Sequence, residues 1–170
     1  DTGRATGTAD PPPPRAPSCI AVIGLGIMGA SIARNLAAAG FTVIGYDTDA
    51  ARLASLATAP VATPGAIVAA NSAADAAARA EVLLTSLPGD AALDATVAGV
   101  LSDRAGRSHA PPLDWLELST LSLETKQRHH APLAAAGIAL LDCPISGTGA
   151  QAQRRDVAVY ASGDAVAWQR

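Results

Sequence analysis

The stretch "CIAVIGLGIMGASIARNLAAAG", residues 19–40, is apolar for five positions, breaks at three glycines, and continues as alanines interleaved with Ser31, Arg34 and Asn35. Five aliphatic positions suit a buried strand, and the alanine-rich segment after the glycines has the length and composition of a helix. Gly24-Leu25-Gly26-Ile27-Met28-Gly29 therefore spells G-x-G-x-x-G at a strand-to-helix junction. Each glycine has its own reason to be there. Gly24 permits the tight turn, Gly26 lets a pyrophosphate approach the backbone, and Gly29 lets the helix lie close to the strand. The helix start offers unpaired N–H groups and the positive end of its dipole to phosphates. A second apolar run, "TVIGYD" (42–47), ends in Asp47, close to the roughly 20-residue offset of an acid that accepts ribose hydroxyls. A 2′-phosphate there would be repelled, so NAD is expected over NADP. Arg52, five residues on, is either a phosphate contact or an exposed helix arginine.

Outward from this junction, short apolar runs alternate with helix-like segments. Strands are expected at 19–24, 42–47, 81–87, 115–119, 138–143 and 157–162, and helices at 29–39, 48–57, 67–79, 90–101 and 122–136. Alternation of this kind predicts βα units and a Rossmann-type α/β fold, with a doubly wound, mostly parallel sheet. Asp49 or Thr48 is placed to cap the second helix, Gly40 and Gly137 to end helices, and residues 102–112 to form a polar loop.

The chain has 170 residues, 49% of them apolar, 16% charged and 3% aromatic. That composition predicts one folded domain with a core of Ala, Val, Ile and Leu. The net charge of −3 and the absence of a basic stripe give no electrostatic basis for binding nucleic acid. No run reaches the roughly 18 apolar residues of a membrane span. Cys19 and Cys143 lack metal-ligand spacing and are expected to be reduced thiols of a cytoplasmic protein; no metal site is expected. Residues 1–18, with Pro11 to Pro14 and Pro17, are expected to be a disordered or polyproline-type leader, and 19–170 the dinucleotide-binding domain. His129 and His130 are expected to be surface residues. Arg154 and Arg155 are expected to be a solvated charge pair, the alternative being added positive charge for a larger or more acidic substrate.

Four stretches in order, "GLGIMGASIARNL" (24–36), "LLTSLPGD" (83–90), "ELSTLSLET" (117–125) and "LLDCPISGTGAQA" (140–152), resemble the motifs of the β-hydroxyacid dehydrogenase family, which includes 3-hydroxyisobutyrate and 6-phosphogluconate dehydrogenases. The resemblance covers nearly everything after residue 18. It implies that Leu87 and Pro88 pass beside the dinucleotide and that Thr120 lies near its nicotinamide end. It also implies that Ser146, Gly147 and Thr148 belong to a loop holding the carboxylate of a small hydroxyacid. Two departures touch that loop. Thr148 stands where the family has a second glycine, and Arg155 occupies a later glycine position.

The resemblance further implies hydride transfer between a 3-hydroxyacid and NAD(P), with a lysine of a following all-helical domain accepting the proton. Lys126 is the sole lysine of the 170 residues and matches no such motif, so no catalytic residue is expected in them. The expectation is a domain truncated at its C-terminal end, inside the first turns of a helix at "GDAVAWQR", with little activity alone. Apolar surface left uncovered there is expected to favour association, a homodimer included. The alternative is a non-enzymatic NAD-binding module with a regulatory or oligomerising role. A methyltransferase is a weaker reading, since it leaves "DCPISG" unexplained.

Overall fold

The computed structural model describes residues 18–58, 65–164 and 167. The proline-rich leader, apart from Ser18, and the expected terminal helix, apart from Ala167, lie outside the described residues.

Six parallel strands form one sheet in the order β3-β2-β1-β4-β5-β6. They are β1 (Cys19–Ile23), β2 (Thr42–Tyr46), β3 (Ala66–Ala69), β4 (Val82–Thr85), β5 (Leu113–Glu117) and β6 (Ile138–Asp142). The main helices are α1 (Ile27–Ala38), α2 (Ala50–Thr58), α3 (Ala73–Ala78), α4 (Asp90–Ala105) and α5 (Leu123–Ala135). A short antiparallel pair, β7 (Ile145–Ser146) and β8 (Ala158–Val159), brackets α6 (Gly149–Gln153). This is the doubly wound Rossmann order, in which the chain reverses direction across the sheet between β1 and β4.

Strand periodicity divides the core. Ala21, Ile23, Leu83, Trp115, Ile138 and Leu140 face one side, with Leu93, Val97 and Val100 of α4 and Leu133 of α5. Ile20, Val22, Val43, Leu84 and Leu141 face the other, with Ala33 and Ala37 of α1 and Leu56 of α2. Successive side chains point to opposite faces, so a strand covered on both sides is apolar throughout. Trp115 is fully buried, and its indole N–H donates to the Thr85 hydroxyl at 2.8 Å, which satisfies its single polar atom.

Several expected boundaries change. The helix expected at 67–79 is two elements, the edge strand β3 and helix α3. Alanine-rich composition favours helix, but Ser72 starts it late, its side chain accepting the Asp75 N–H at 3.0 Å. The four residues of β3, ahead of that cap, pair with β2 instead. The strand expected at 115–119 begins at Leu113, and α4 runs to Ala105 into the expected loop. Only Ala158–Val159 of the run 157–162 is strand, with an isolated bridge from Asp142 to Ser162. Asp49, not Thr48, starts α2: its Oδ1 accepts the Ala51 N–H at 2.9 Å.

Candidate functional site

The glycine turn closes the carboxyl end of β1, at the point where the strand order reverses. A Cβ on Gly24, whose φ is +86°, would lie 2.2 Å from the Ser86 carbonyl oxygen. One on Gly29 would lie 1.9 Å from the Gly24 carbonyl oxygen. Both are excluded by main chain, so these two glycines are demanded by the fold itself. Gly26 differs, because its nearest neighbour would be Arg52 Nη1 at 3.9 Å. Among the described residues nothing forbids a side chain at Gly26, which lines the cleft. Gly26 also stands at the start of α1 without a side-chain cap, which leaves the first-turn N–H groups for an external acceptor.

The cleft measures ≈ 580 Å³. Gly24, Gly26, Ile27 and Met28 line it on one side, Asp47 and Thr48 after β2 with Arg52 of α2, and Ser86, Leu87 and Pro88 after β4. An acidic end, a backbone N–H floor and an apolar wall suit a ribose, a pyrophosphate and an aromatic ring in turn. Leu25 has its side chain in the core instead.

Asp47 has two tasks. Its Oδ2 accepts the Leu25 N–H at 2.6 Å and its Oδ1 the Asp49 N–H at 2.8 Å, which fastens the end of β2 to the glycine turn. It is 8% exposed, yet it lines the cleft, and a carboxylate has lone pairs beyond the two in use.

Leu87 and Pro88 line the cleft. The Leu87 N–H donates to the Ser119 hydroxyl at 2.7 Å, which joins the loop after β4 to the turn after β5. Thr120 is exposed and does not line the cleft. Ser146 is exposed in β7, and Gly147, at φ +151°, has no room for a Cβ against Val157 Cγ1 at 2.7 Å. The Thr148 hydroxyl accepts the Gln151 N–H while the Gln151 side chain returns to the Thr148 N–H, a capping box that starts α6. These three residues do not line the cleft, but the loop touches its rim. A Cβ on Gly149 would lie 2.3 Å from Ile27 Cγ2, and the Asn35 side-chain amide donates to the Ala152 carbonyl at 2.7 Å.

Arg155 has φ +63° two residues past α6. Its N–H reaches the Ala152 carbonyl and the Asp156 N–H the Gln151 carbonyl, the two bonds of a Schellman motif. A glycine fits that left-handed position best, which gives the departure at Arg155 a backbone meaning.

Sequence reasoning missed one cluster. Glu117 and Asp142 sit side by side in the register of β5 and β6, and Lys126 of α5 reaches both. Its ammonium lies 2.8 Å from Glu117 Oε2, bonds Asp142 Oδ1, and donates to the Ser119 carbonyl at 2.7 Å. Burial alone would lower the pKa of this ammonium, but its bonds to Asp142 and Glu117 more than offset that and raise it. No local spacing announces the cluster. The signal is a lone lysine following an acid-ended strand.

His129 corrects its surface reading. Its side chain is 12% exposed and its Nε2 lies 2.6 Å from Asp94 Oδ1, beside a two-pronged Arg128–Asp94 pair. His130 is exposed. The Arg128 bonds, followed by the His129 contact, hold the Asp94 carboxyl below its ordinary value. Burial, followed by the nearby Asp142 charge, pushes the Cys143 thiol up to about 11, so it stays protonated at neutral pH. Among the described residues no cluster of His, Cys, Asp or Glu could hold a metal ion, and no helix is long and apolar enough to cross a membrane.

The sequence profile of the family described as the NAD binding domain of 6-phosphogluconate dehydrogenase matches residues 19–170. An NAD-dependent L-serine dehydrogenase of Pseudomonas aeruginosa is 34% identical over 152 residues, 89% of this chain and 48% of its own. A probable 3-hydroxyisobutyrate dehydrogenase of Mycobacterium tuberculosis is 33% identical, over 85% of this chain and 46% of its own. The solved structure of a Mycobacterium tuberculosis 3-hydroxyisobutyrate dehydrogenase with L-serine superimposes with a TM-score of 0.79 at 29% identity, covering 90% of this chain and 49% of that one. The chain spans about half the length of the relatives it matches. With its strand order, its glycine turn and its acid-ended β2, the chain belongs to the family of the 6-phosphogluconate dehydrogenase NAD-binding domain.

Proposed function

We propose that the cleft holds NAD in preference to NADP, and that the whole protein passes hydride between the nicotinamide and a small 3-hydroxyacid. The observation that carries the reading is the open space at Gly26, beside two glycines that the fold itself requires. In this reading the first-turn N–H groups of α1 hold the pyrophosphate and Asp47 accepts the adenosine ribose hydroxyls. Leu87 and Pro88 give the ring an apolar wall that excludes water. NAD, when bound, supplies the hydride acceptor. Thr120 orients the nicotinamide end, and Ser146 and Gly147, beside Thr148, hold the substrate carboxylate. Because Thr148 is fixed in its capping box, the hydroxyl free to meet an anion is that of Ser146.

Proton transfer belongs to a lysine outside these 170 residues. Lys126 is unsuited to it, since Glu117 and Asp142 stabilise its charged form and a general base must be neutral before it accepts a proton.

Calorimetric titration of the chain with each dinucleotide tests the cofactor half, with tighter binding of NAD expected and tighter binding of NADP contradicting it. With 3-hydroxyisobutyrate or L-serine, NADH formation by the 170 residues is expected to fall at least about 10²-fold below that of a full-length relative. Comparable turnover would place the base within the chain.

A further inference from the structure

Among the described residues that line the cleft, Arg52 is the one cation. Its Nη1 lies 3.6 Å from Asp47 Oδ2 and its Nε 3.4 Å from Asp49 Oδ2. The same Nη1 is the atom nearest the open space at Gly26. The guanidinium thus stands at the mouth of the cleft, between the glycine turn and two carboxylates.

The carboxylates are used differently. Asp47 is buried and already accepts the N–H groups of Leu25 and Asp49. Asp49 is half exposed and divides its oxygens, with Oδ1 starting α2 and Oδ2 facing Arg52. Together the three side chains carry a formal charge of about −1. A 2′-phosphate carries roughly −1.5 to −2 at neutral pH and would meet net negative charge where it needs a free guanidinium.

We infer that Asp49 is a specificity-determining residue: by holding Arg52 at the rim it withholds the cation that a 2′-phosphate would require. The inference rests on the reading of the cleft as a dinucleotide site. Exposed pairs of this kind add little to stability. Selectivity, however, depends only on the difference between two ligands, and these differ by one phosphate.

Asp49→Asn removes the charge and keeps an oxygen that starts α2, since Asn and Asp serve equally well there. Dissociation constants for NAD and NADP are measured by calorimetry for the parent, Asp49→Asn, Arg52→Ala and the double variant. The expected result is a shift of the NADP-to-NAD affinity ratio toward NADP by roughly tenfold in Asp49→Asn, larger at low salt. Most of that gain is expected to vanish when Arg52→Ala is added, because the two residues act together. An unchanged ratio in a protein that binds NAD overturns the role of Asp49 alone. A gain that survives Arg52→Ala also overturns it, since Asp49 then acts by its own charge. A parent that binds neither dinucleotide overturns the site and this inference together.

Discussion

The carboxyl ends of β1 and β2 share one edge of the sheet with those of β5 and β6, but the two ends are finished in opposite ways. At β1 and β2 the backbone is left open: Gly26 faces free space, α1 starts without a side-chain cap, and Asp47 lines a cleft. At β5 and β6 the charged groups are closed on one another, with the buried Glu117, Lys126 and Ser119 carbonyl and the partly exposed Asp142 drawn into one knot. Buried polar groups are satisfied almost everywhere in native proteins. An end that leaves donors open is therefore shaped for a ligand, whereas an end that closes on itself is shaped for the fold. Through the Ser119 carbonyl and Asp142, the knot ties the turn after β5 to the end of β6.

The largest effect expected on this contrast comes from opening the closed end. Lys126→Met leaves Glu117, fully buried, beside Asp142 without a cation, and destabilisation by about 3–5 kcal/mol is expected in chemical denaturation. Loss below about 1 kcal/mol would mean that the knot is not a unit. The pH dependence is set by the sign of the shift. The folded pKa of Lys126 is raised, so its contribution is fully present below the ordinary lysine value of about 10.4 and is lost as pH climbs through the raised folded value. The stability gap between parent and variant should hold through neutral pH and narrow only in strong alkali.

A smaller effect, of opposite sign, lies in the loop between the two ends. Arg155 holds φ +63°, a left-handed conformation that disfavours any side chain by roughly 1–2 kcal/mol. Glycine there relieves the strain but gains entropy in the unfolded chain. Arg155→Gly is expected to stabilise the protein by up to about 1 kcal/mol, or about 2–4 °C in the thermal midpoint. A lowered midpoint would show that the arginine side chain contributes more than its backbone strain removes.

The open end was the legible one because its requirements are local. A glycine turn, the strand before it and an acid one βα unit later all fall within 19–47, and periodicity places them without knowledge of the rest of the chain. The six parallel strands were legible for the same reason, apart from β3. Its four residues, Ala66–Ala69, lie in an alanine-rich tract at the sheet edge, where composition favours a helix and only the cap at Ser72 argues otherwise. The closed end was illegible because Glu117, Lys126 and Asp142 meet only through the register of two strands and the docking of a helix. Thr148 shows a third case. Its sequence position suggests a substrate contact, and its atoms show a helix start. The β-hydroxyacid resemblance implies a substrate role for the loop without revealing that the Thr148 hydroxyl is already engaged.

The fold itself requires the first and third glycines of the turn, and in the proposed reading the second serves the ligand. Gly26 has φ −66° and ψ −167°, a backbone open to any residue, and no atom of the described residues blocks a side chain there. The most direct measurement is the calorimetric dissociation constant of NAD for Gly26→Val against the parent, with a thermal melt on the same samples. The expected result is a melt within about 1 kcal/mol of the parent and affinity weakened at least about tenfold, since the valine fills space the pyrophosphate needs. A folded Gly26→Val protein that binds NAD as tightly as the parent would contradict this division of the glycines.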